Sequence, residues 1–308
     1  MRQIDLGKSG FSVPSIAVGC MRISEMPKIE LRKFIDVAIE NGANFFDHAD
    51  IYGAQNEGDA EIAFANAIEM NANIREKIII QSKCGIRENS FDFSKEYILD
   101  SVDGILKRLK TDYLDVFLLH RPDALFEPEE IAETFDILEY QGKVRYFGVS
   151  NQKPMQIELL KKSINQKIVA NQLQLSIAAS NIITHGFFVN MQTDTAISRD
   201  ESVLDYCRLK DITVQAWSPF QYGFFDGTFI GSEKYPELNE TLEKIAEKYS
   251  VSSTTIAVAW LFRHPAKIQV VTGTTNPQRL KQCIAASEIT LTREEWYEIW
   301  LSAGNYLP

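Results

Sequence analysis

Short apolar runs and helix-spaced apolar stripes alternate along almost the whole chain, and their order sets the expected fold. Residues 2–15 read as a short hairpin with Gly7-Lys8-Ser9-Gly10 at its turn. A buried strand follows at 16–20. Leu31, Phe34, Ile35, Ala38 and Ile39 then fall at helical spacing until Asn41-Gly42 stops them. Residues 43–47 make the next strand, and 58–70 a helix with Ile62, Ala63 and Ala67 on one side. The apolar strand 77–83 ends on Lys83. Ser94 stands where it can cap a helix whose face is Ile98, Val102, Ile105, Leu106 and Leu109, and the strand 113–120 ends on His120. Pro128 and Pro154 sit where a first helical turn tolerates proline, with Gly142 between them as a helix stop. Strands at 144–150 and 168–172 flank the second of these helices, and 173–200 reads as irregular and polar. A helix at 203–210 and a strand at 212–216 lead into a long aromatic loop, 218–236. Helices near 237–249 and 253–262, a last strand at 268–271, a helix opening at Pro277 and a terminal helix at 293–302 complete the pattern.

The count is eight strands separated by helices, with no composition break between them. Continuous apolar strands alternating with amphipathic helices imply an α/β protein whose parallel sheet is covered on both faces. Eight such units fit a closed (β/α)8 TIM barrel, usually about 250 residues plus insertions. The expectation is one barrel domain over residues 1–308, with an N-terminal β-hairpin and an extra C-terminal helix. A doubly wound open sheet is the runner-up. Against it, the first strand-to-helix turn, Gly19-Cys20-Met21-Arg22, lacks the G-x-G-x-x-G dinucleotide fingerprint.

Charge narrows the function. Lys and Arg total 32 against 42 Asp and Glu, giving a net charge of −10 and a pI near 5.1. The basic stripe that nucleic acid or an anionic membrane requires is absent. A small anionic cofactor needs only a few local cations and stays open. Cys20, Cys84, Cys207 and Cys283 are widely separated and read as reduced thiols, and the four histidines lack the spacing of a metal site. No signal pattern or membrane-length apolar run occurs, so the expectation is a soluble cytoplasmic protein with no evident partner protein.

The candidate chemistry lies at strand ends. In such a barrel the active site forms at the C-terminal ends of the strands. Asp47, Lys83 and His120 close the second, third and fourth strands, and Tyr52 follows Asp47 in the next loop. Singly, each has a bland explanation as a turn former, solvated strand end or packing residue. Three coincidences on consecutive strands favour a site. An ammonium beside a phenol favours the phenolate and lowers its pKa, Asp47 can hold Lys83 charged, and His120 can orient a substrate oxygen. That set suits protonation of a carbonyl oxygen while hydride arrives at carbon.

These residues make the sequence recognisable. Asp47-x-x-x-x-Tyr52, Lys83 and His120, together with Gly148-Val149-Ser150-Asn151, Asn171-Gln172, Trp217-Ser218-Pro219 and the stretch from Gly273 to Leu280, resemble the aldo-keto reductase superfamily, in its bacterial oxidoreductase subgroup. The resemblance implies that Tyr52 is the general acid/base, that Lys83 and Asp47 tune it, and that His120 orients the carbonyl. It implies that Ser150, Asn151 and Gln172 bind the nicotinamide carboxamide and that Trp217 stacks on the ring. Gly19, Met21, Ser218, Gly273, Thr274, Asn276 and Arg279 complete the implied cofactor groove. Asn276 before Pro277 looks like an N-cap pair whose free backbone N–H groups suit a phosphate, and Arg279 favours the 2′-phosphate of NADP over NAD. The chain departs from the pattern at Gly273, where many relatives carry lysine, at Cys283, near the expected adenine, and at His48.

The function expected is NADP-dependent reduction of a small-molecule aldehyde or ketone to the alcohol, by direct hydride transfer from the reduced cofactor, NADPH, with NAD as the alternative cofactor. Two other readings stand beside it. One is a nucleotide-binding regulatory protein of the channel β-subunit kind, with little turnover. The other is a Schiff-base aldolase using Lys83. Substrate choice is expected to rest on Met21, the loops 84–92, 121–127 and 218–236, and the tail around Tyr306.

Overall fold

Eight parallel strands close into a ring in the computed structural model, which describes residues 1–308. They are β1 (Ile16–Gly19), β2 (Phe45–Asp47), β3 (Ile79–Cys84), β4 (Leu114–Leu119), β5 (Val144–Ser150), β6 (Ile168–Gln174), β7 (Thr213–Trp217) and β8 (Gln269–Thr272), and β8 pairs with β1 to complete the barrel. The strands are apolar on both faces because helices cover the outside and packed side chains fill the lumen. Most of the core, a cluster of 67 buried residues, therefore forms between the barrel and the helices.

The antiparallel hairpin, Gln3–Asp5 against Ser12–Pro14, packs against the N-terminal end of the barrel. Ile4, Leu6 and Val13 join Phe45, Val116 and Val271 in a separate lumen cluster of 10 buried residues. The docking is tight at Gly7. This residue has φ +58°, its N–H donates to Thr213 Oγ1 at 2.8 Å, and a Cβ there would lie 2.5 Å from the carbonyl oxygen of Val169. Only glycine takes that backbone conformation without strain and leaves room for the contact.

Several local expectations change. The second strand is shorter than 43–47, starting at Phe45. In the helix Asp59–Ile68 the buried positions are Ala60, Glu61, Phe64, Ala65, Ala67 and Ile68, whereas Ile62 is exposed. The stripe was misjudged because Glu61, a charged residue, lies on the buried face. Ser94 is the N-cap of the helix Lys95–Leu109 but makes no side-chain cap bond. Residues 173–200 are not simply irregular. They hold the short helix Asn181–Thr184 and bury Leu175, Ile177, Ile183 and Phe188, whose spacing follows no regular period.

The terminal helix Arg293–Ser302 opens with a capping box between Thr292 and Glu295. It is fixed to the helix Ser253–Arg263 through Trp296, which stacks on Trp260 at 4.9 Å and 7°. Each indole N–H donates to the other residue's carbonyl at 3.1 Å, so both polar edges are satisfied in the core. No helix is long and apolar enough to cross a membrane.

Candidate active site

All the strand-end residues singled out above gather at one end of the barrel. Gly19 ends β1, Asp47 ends β2, Ser150 ends β5 and Trp217 ends β7. Lys83 is the penultimate residue of β3, and His120 directly follows β4. Side chains alternate across a strand, so Lys83 points into the lumen while Ser82 points to the helices, where its hydroxyl donates to Glu61.

Lys83 is fully buried and doubly held. Its Nζ donates to Asp47 Oδ1 and to the carbonyl oxygen of His48, both at 2.7 Å. Burial opposes the ammonium, but Asp47 and then Tyr52 more than offset it, and the amine sits above its ordinary pKa. Tyr52 brings its ring centroid to 5.1 Å from Lys83 Nζ and to 6.1 Å from the His120 ring, edge to face. Here the electrostatic expectation needs correction. Lys83 does pull the Tyr52 phenol down, yet burial is the larger effect and Asp47 adds to it, so the phenol stays above its usual value. Burial, then Lys83 and Arg121, push His120 well below the usual imidazole value. The ring is neutral, with one nitrogen free to donate.

Beneath this group runs a chain of buried amides that no local sequence motif marks. Asp47 Oδ1 also accepts from Gln81 Nε2 at 2.5 Å and Gln172 Nε2 at 3.0 Å. Gln81 and Gln215 exchange amide bonds of 2.9 and 3.0 Å across the lumen. Gln215 then donates to Gln269 at 2.8 Å, and Gln269 donates to the carbonyl of Pro14 in the hairpin at 2.7 Å. A continuous run of hydrogen bonds thus links the hairpin to Lys83. The sequence signal is one glutamine in each of β3, β7 and β8.

Around the rim, Asn151 has φ +57° and its Nδ2 donates to Ser150 Oγ at 2.8 Å and to the carbonyl of His120 at 3.3 Å. Trp217 Nε1 donates to Asn151 Oδ1 at 3.2 Å, and the residue is half-buried. Gln172 faces the lumen, so its amide is committed to Asp47 and Gln215. Asn171 turns outward and bonds the backbone of Gln152. At β8 the capping expectation holds but its corollary does not. Asn276 Oδ1 accepts from the N–H groups of Gln278 and Arg279 at 2.9 and 3.0 Å, so those backbone donors are already taken.

The positive charge at this corner comes from side chains. Arg22, in the turn after β1, donates to the carbonyl of Gly273 at 3.3 Å, and its Nη1 would lie 3.5 Å from a Cβ at Gly273. An arginine from a different loop therefore occupies the neighbourhood that a lysine at 273 would reach. Met21, Gly273, Asn276 and Arg279 are exposed beside it, while Cys283 is buried in the core, away from any ligand surface. A Cβ at Gly19 would lie 2.8 Å from the carbonyl of Thr272, which accounts for that glycine by close strand approach. The aromatic loop divides: Phe229 is fully buried, whereas Phe224 and Phe225 are exposed and pack against Trp217 at 6.2 and 6.4 Å.

On the helix side of β2 and β3 lies a second buried polar group. His48 packs edge-on against Phe64 with neither ring nitrogen partnered. Asp50 accepts from the Tyr97 hydroxyl at 3.3 Å, and burial, then Glu61, raise its carboxyl to about 7. Glu61 is paired with Arg108 at 2.7 Å.

A family model described as the aldo/keto reductase family matches residues 15–300. An uncharacterized oxidoreductase, YcsN, of Bacillus subtilis is 34% identical over 290 residues, covering 90% of this chain and 89% of the relative. A 6-dehydroglucose reductase of Agrobacterium fabrum is 32% identical over 280 residues, covering 87% and 86%. An aldo-keto reductase from Klebsiella pneumoniae, solved in complex with NADPH, superposes with a TM-score of 0.76 at 22% identity, covering 97% of this chain and 93% of that one. At that identity the likeness speaks to the fold.

Proposed function

The chain belongs to the aldo/keto reductase family, and from that premise we propose that it works as a single barrel domain reducing an aldehyde or ketone to the alcohol, with NADP as cofactor and Tyr52 as proton donor. The observation that carries this reading is the buried Asp47–Lys83 pair at 2.7 Å, with the Tyr52 ring against Lys83 and a neutral His120 beside it.

The rim fits a nicotinamide nucleotide. Trp217, half-buried at the rim, is a flat ring on which another could stack, and the side-chain amide of Asn151 lies at its edge. Arg279 and Arg22 supply cations for phosphate on an otherwise acidic protein, and two arginines at one corner favour NADP over NAD. Gly273 is therefore no obstacle to that preference.

When bound, the reduced nicotinamide supplies the hydride that reaches the carbonyl carbon. The protein's residues manage the proton. Tyr52 keeps its phenol protonated at neutral pH, because burial raises it, and gives that proton to the carbonyl oxygen. The Lys83 ammonium, fixed by Asp47, stabilises the phenolate left behind. Neutral His120 donates a hydrogen bond to the same oxygen and sets its direction. The Gln81 and Gln172 amides hold Asp47 without adding charge.

NADPH oxidation with a panel of aldehydes, followed for native protein and Tyr52→Phe, tests the reading. The variant is expected to lose about 10²- to 10⁴-fold in kcat while binding NADPH as before. Undiminished turnover without the phenol hydroxyl would sink the mechanism.

A further inference from the structure

Arg121 has no role in the proton-transfer scheme, yet it follows His120 and sits against the same cluster. It is half-buried and forms neither an ion pair nor a side-chain hydrogen bond. Its guanidinium carbon lies 5.8 Å from the Trp217 ring centroid and 5.7 Å from that of Phe224. Burial is the main influence on it and works against its charge, and only Tyr52 favours that charge. The contrast with other sheltered arginines is plain. Arg75 holds Asp115 at 2.6 Å and Arg108 holds Glu61 at 2.7 Å.

Aromatic faces satisfy part of a cation's demand but accept none of the five N–H bonds a guanidinium offers. A partly desolvated fork with unused donors, beside Tyr52 and His120, is a receptor for a planar anion. Lys83 is already neutralised by Asp47, so one positive charge is left to match one negative charge. The cations Arg22 and Arg279 flank β8, which is opposite β4 in an eight-membered ring, so Arg121 is not part of that phosphate corner.

We infer that Arg121 anchors a carboxylate carried by the carbonyl substrate, so that the enzyme prefers acids bearing an aldehyde or ketone. The inference rests on the carbonyl-reductase reading above and names its substrate class. Fork-to-fork pairing would hold the far end of the substrate while the carbonyl lies at Tyr52 and His120. Phe224, on the exposed loop, would cover the pair and exclude water from it. Because this contact persists from bound substrate to transition state, it acts on KM more than on kcat.

The test compares 4-carboxybenzaldehyde with its methyl ester, two aldehydes that differ in charge. Native enzyme is expected to favour the acid in kcat/KM, and Arg121→Gln to lower the acid-to-ester ratio about ten- to a hundredfold, mainly through KM. Arg121→Lys keeps the charge without the fork and should recover only part of the ratio. An ester used as well as the acid by native enzyme, or an unchanged ratio in Arg121→Gln, would overturn the inference. Should Arg121→Gln fail to fold, inhibition of native enzyme decides: benzoate competing with the ester while benzamide does not supports the anchor, and equal inhibition by both overturns it. Turnover of neither aldehyde would count against carbonyl reduction instead. Calorimetric titration of NADP-loaded protein with benzoate then judges Arg121 alone: binding lost in Arg121→Gln upholds the anion site, and binding retained refutes it.

Discussion

Across β2 and β3, adjacent residues face opposite ways into two buried polar groups. On the lumen side Asp47 and Lys83 meet at 2.7 Å, with two glutamine amides donating to the same carboxylate oxygen. On the helix side Asp50 keeps one oxygen without a partner and His48 keeps both nitrogens so. Both places are buried, but the outcomes diverge. The inner amine is driven above its ordinary value, whereas the outer carboxyl rises to about 7 and the outer imidazole falls to about 3. Burial alone does not decide which groups ionise. A charge survives where a complementary atom is at hydrogen-bond distance, and otherwise the neutral form wins.

The strongest way to break the contrast is Lys83→Met. It turns the inner carboxylate into an uncompensated buried charge, and should cost about 3–5 kcal/mol of stability in denaturant unfolding, together with the activity. A loss below 1 kcal/mol would mean that the glutamines alone can keep Asp47 charged. Asp50→Asn works on the other side. The folded protein retains the Asp50 proton up to about pH 7, whereas the unfolded chain releases it near the ordinary carboxylate value of 3.8, so rising pH through that window favours unfolding. The amide variant should match native stability at pH 4 and exceed it at pH 8 by up to about 4 kcal/mol. Equal pH profiles for the two proteins would show that Asp50 ionises normally. His48→Leu is the mildest change and has the opposite sign. Its imidazole stays neutral in the fold down to about 3 but protonates in the unfolded chain below the ordinary imidazole value of 6.5, so native stability falls with falling pH. The leucine variant should gain about 2 kcal/mol at pH 5 and little at pH 8.

The alternation of run lengths in the sequence reveals the barrel, because each strand is apolar on both faces and each helix on one. Strand-end positions of Asp47, Lys83 and His120 are equally legible, since the ends of apolar runs are marked by the residues themselves. What stays hidden depends on distant partners. Gln81 and Gln215 are 134 positions apart, and nothing local tells that their amides meet. The direction of His48 depends on Phe64 filling the space behind it. Arg22 could not be matched to Gly273 before the ends of the chain were brought together by β8 pairing with β1. The N–H groups at Gln278 and Arg279 belong to a legible capping motif, but the Asn276 side chain that marks the motif also uses those donors.

The glutamine run has a consequence for how the barrel finds its closure. Sliding one strand by two residues preserves which side chains face inward, and interchangeable valines and isoleucines would tolerate much of that error. Amides would not. Gln172, Gln215 and Gln269 pair in register on three neighbouring strands, and Asp47 pairs with Gln81 on two others. A slip anywhere in that set strands buried amide groups, each costing about 1–3 kcal/mol. The lumen thus carries a check on stagger that the aliphatic layer cannot make, and its last contact, from Gln269 to Pro14, extends the check to the seating of the hairpin.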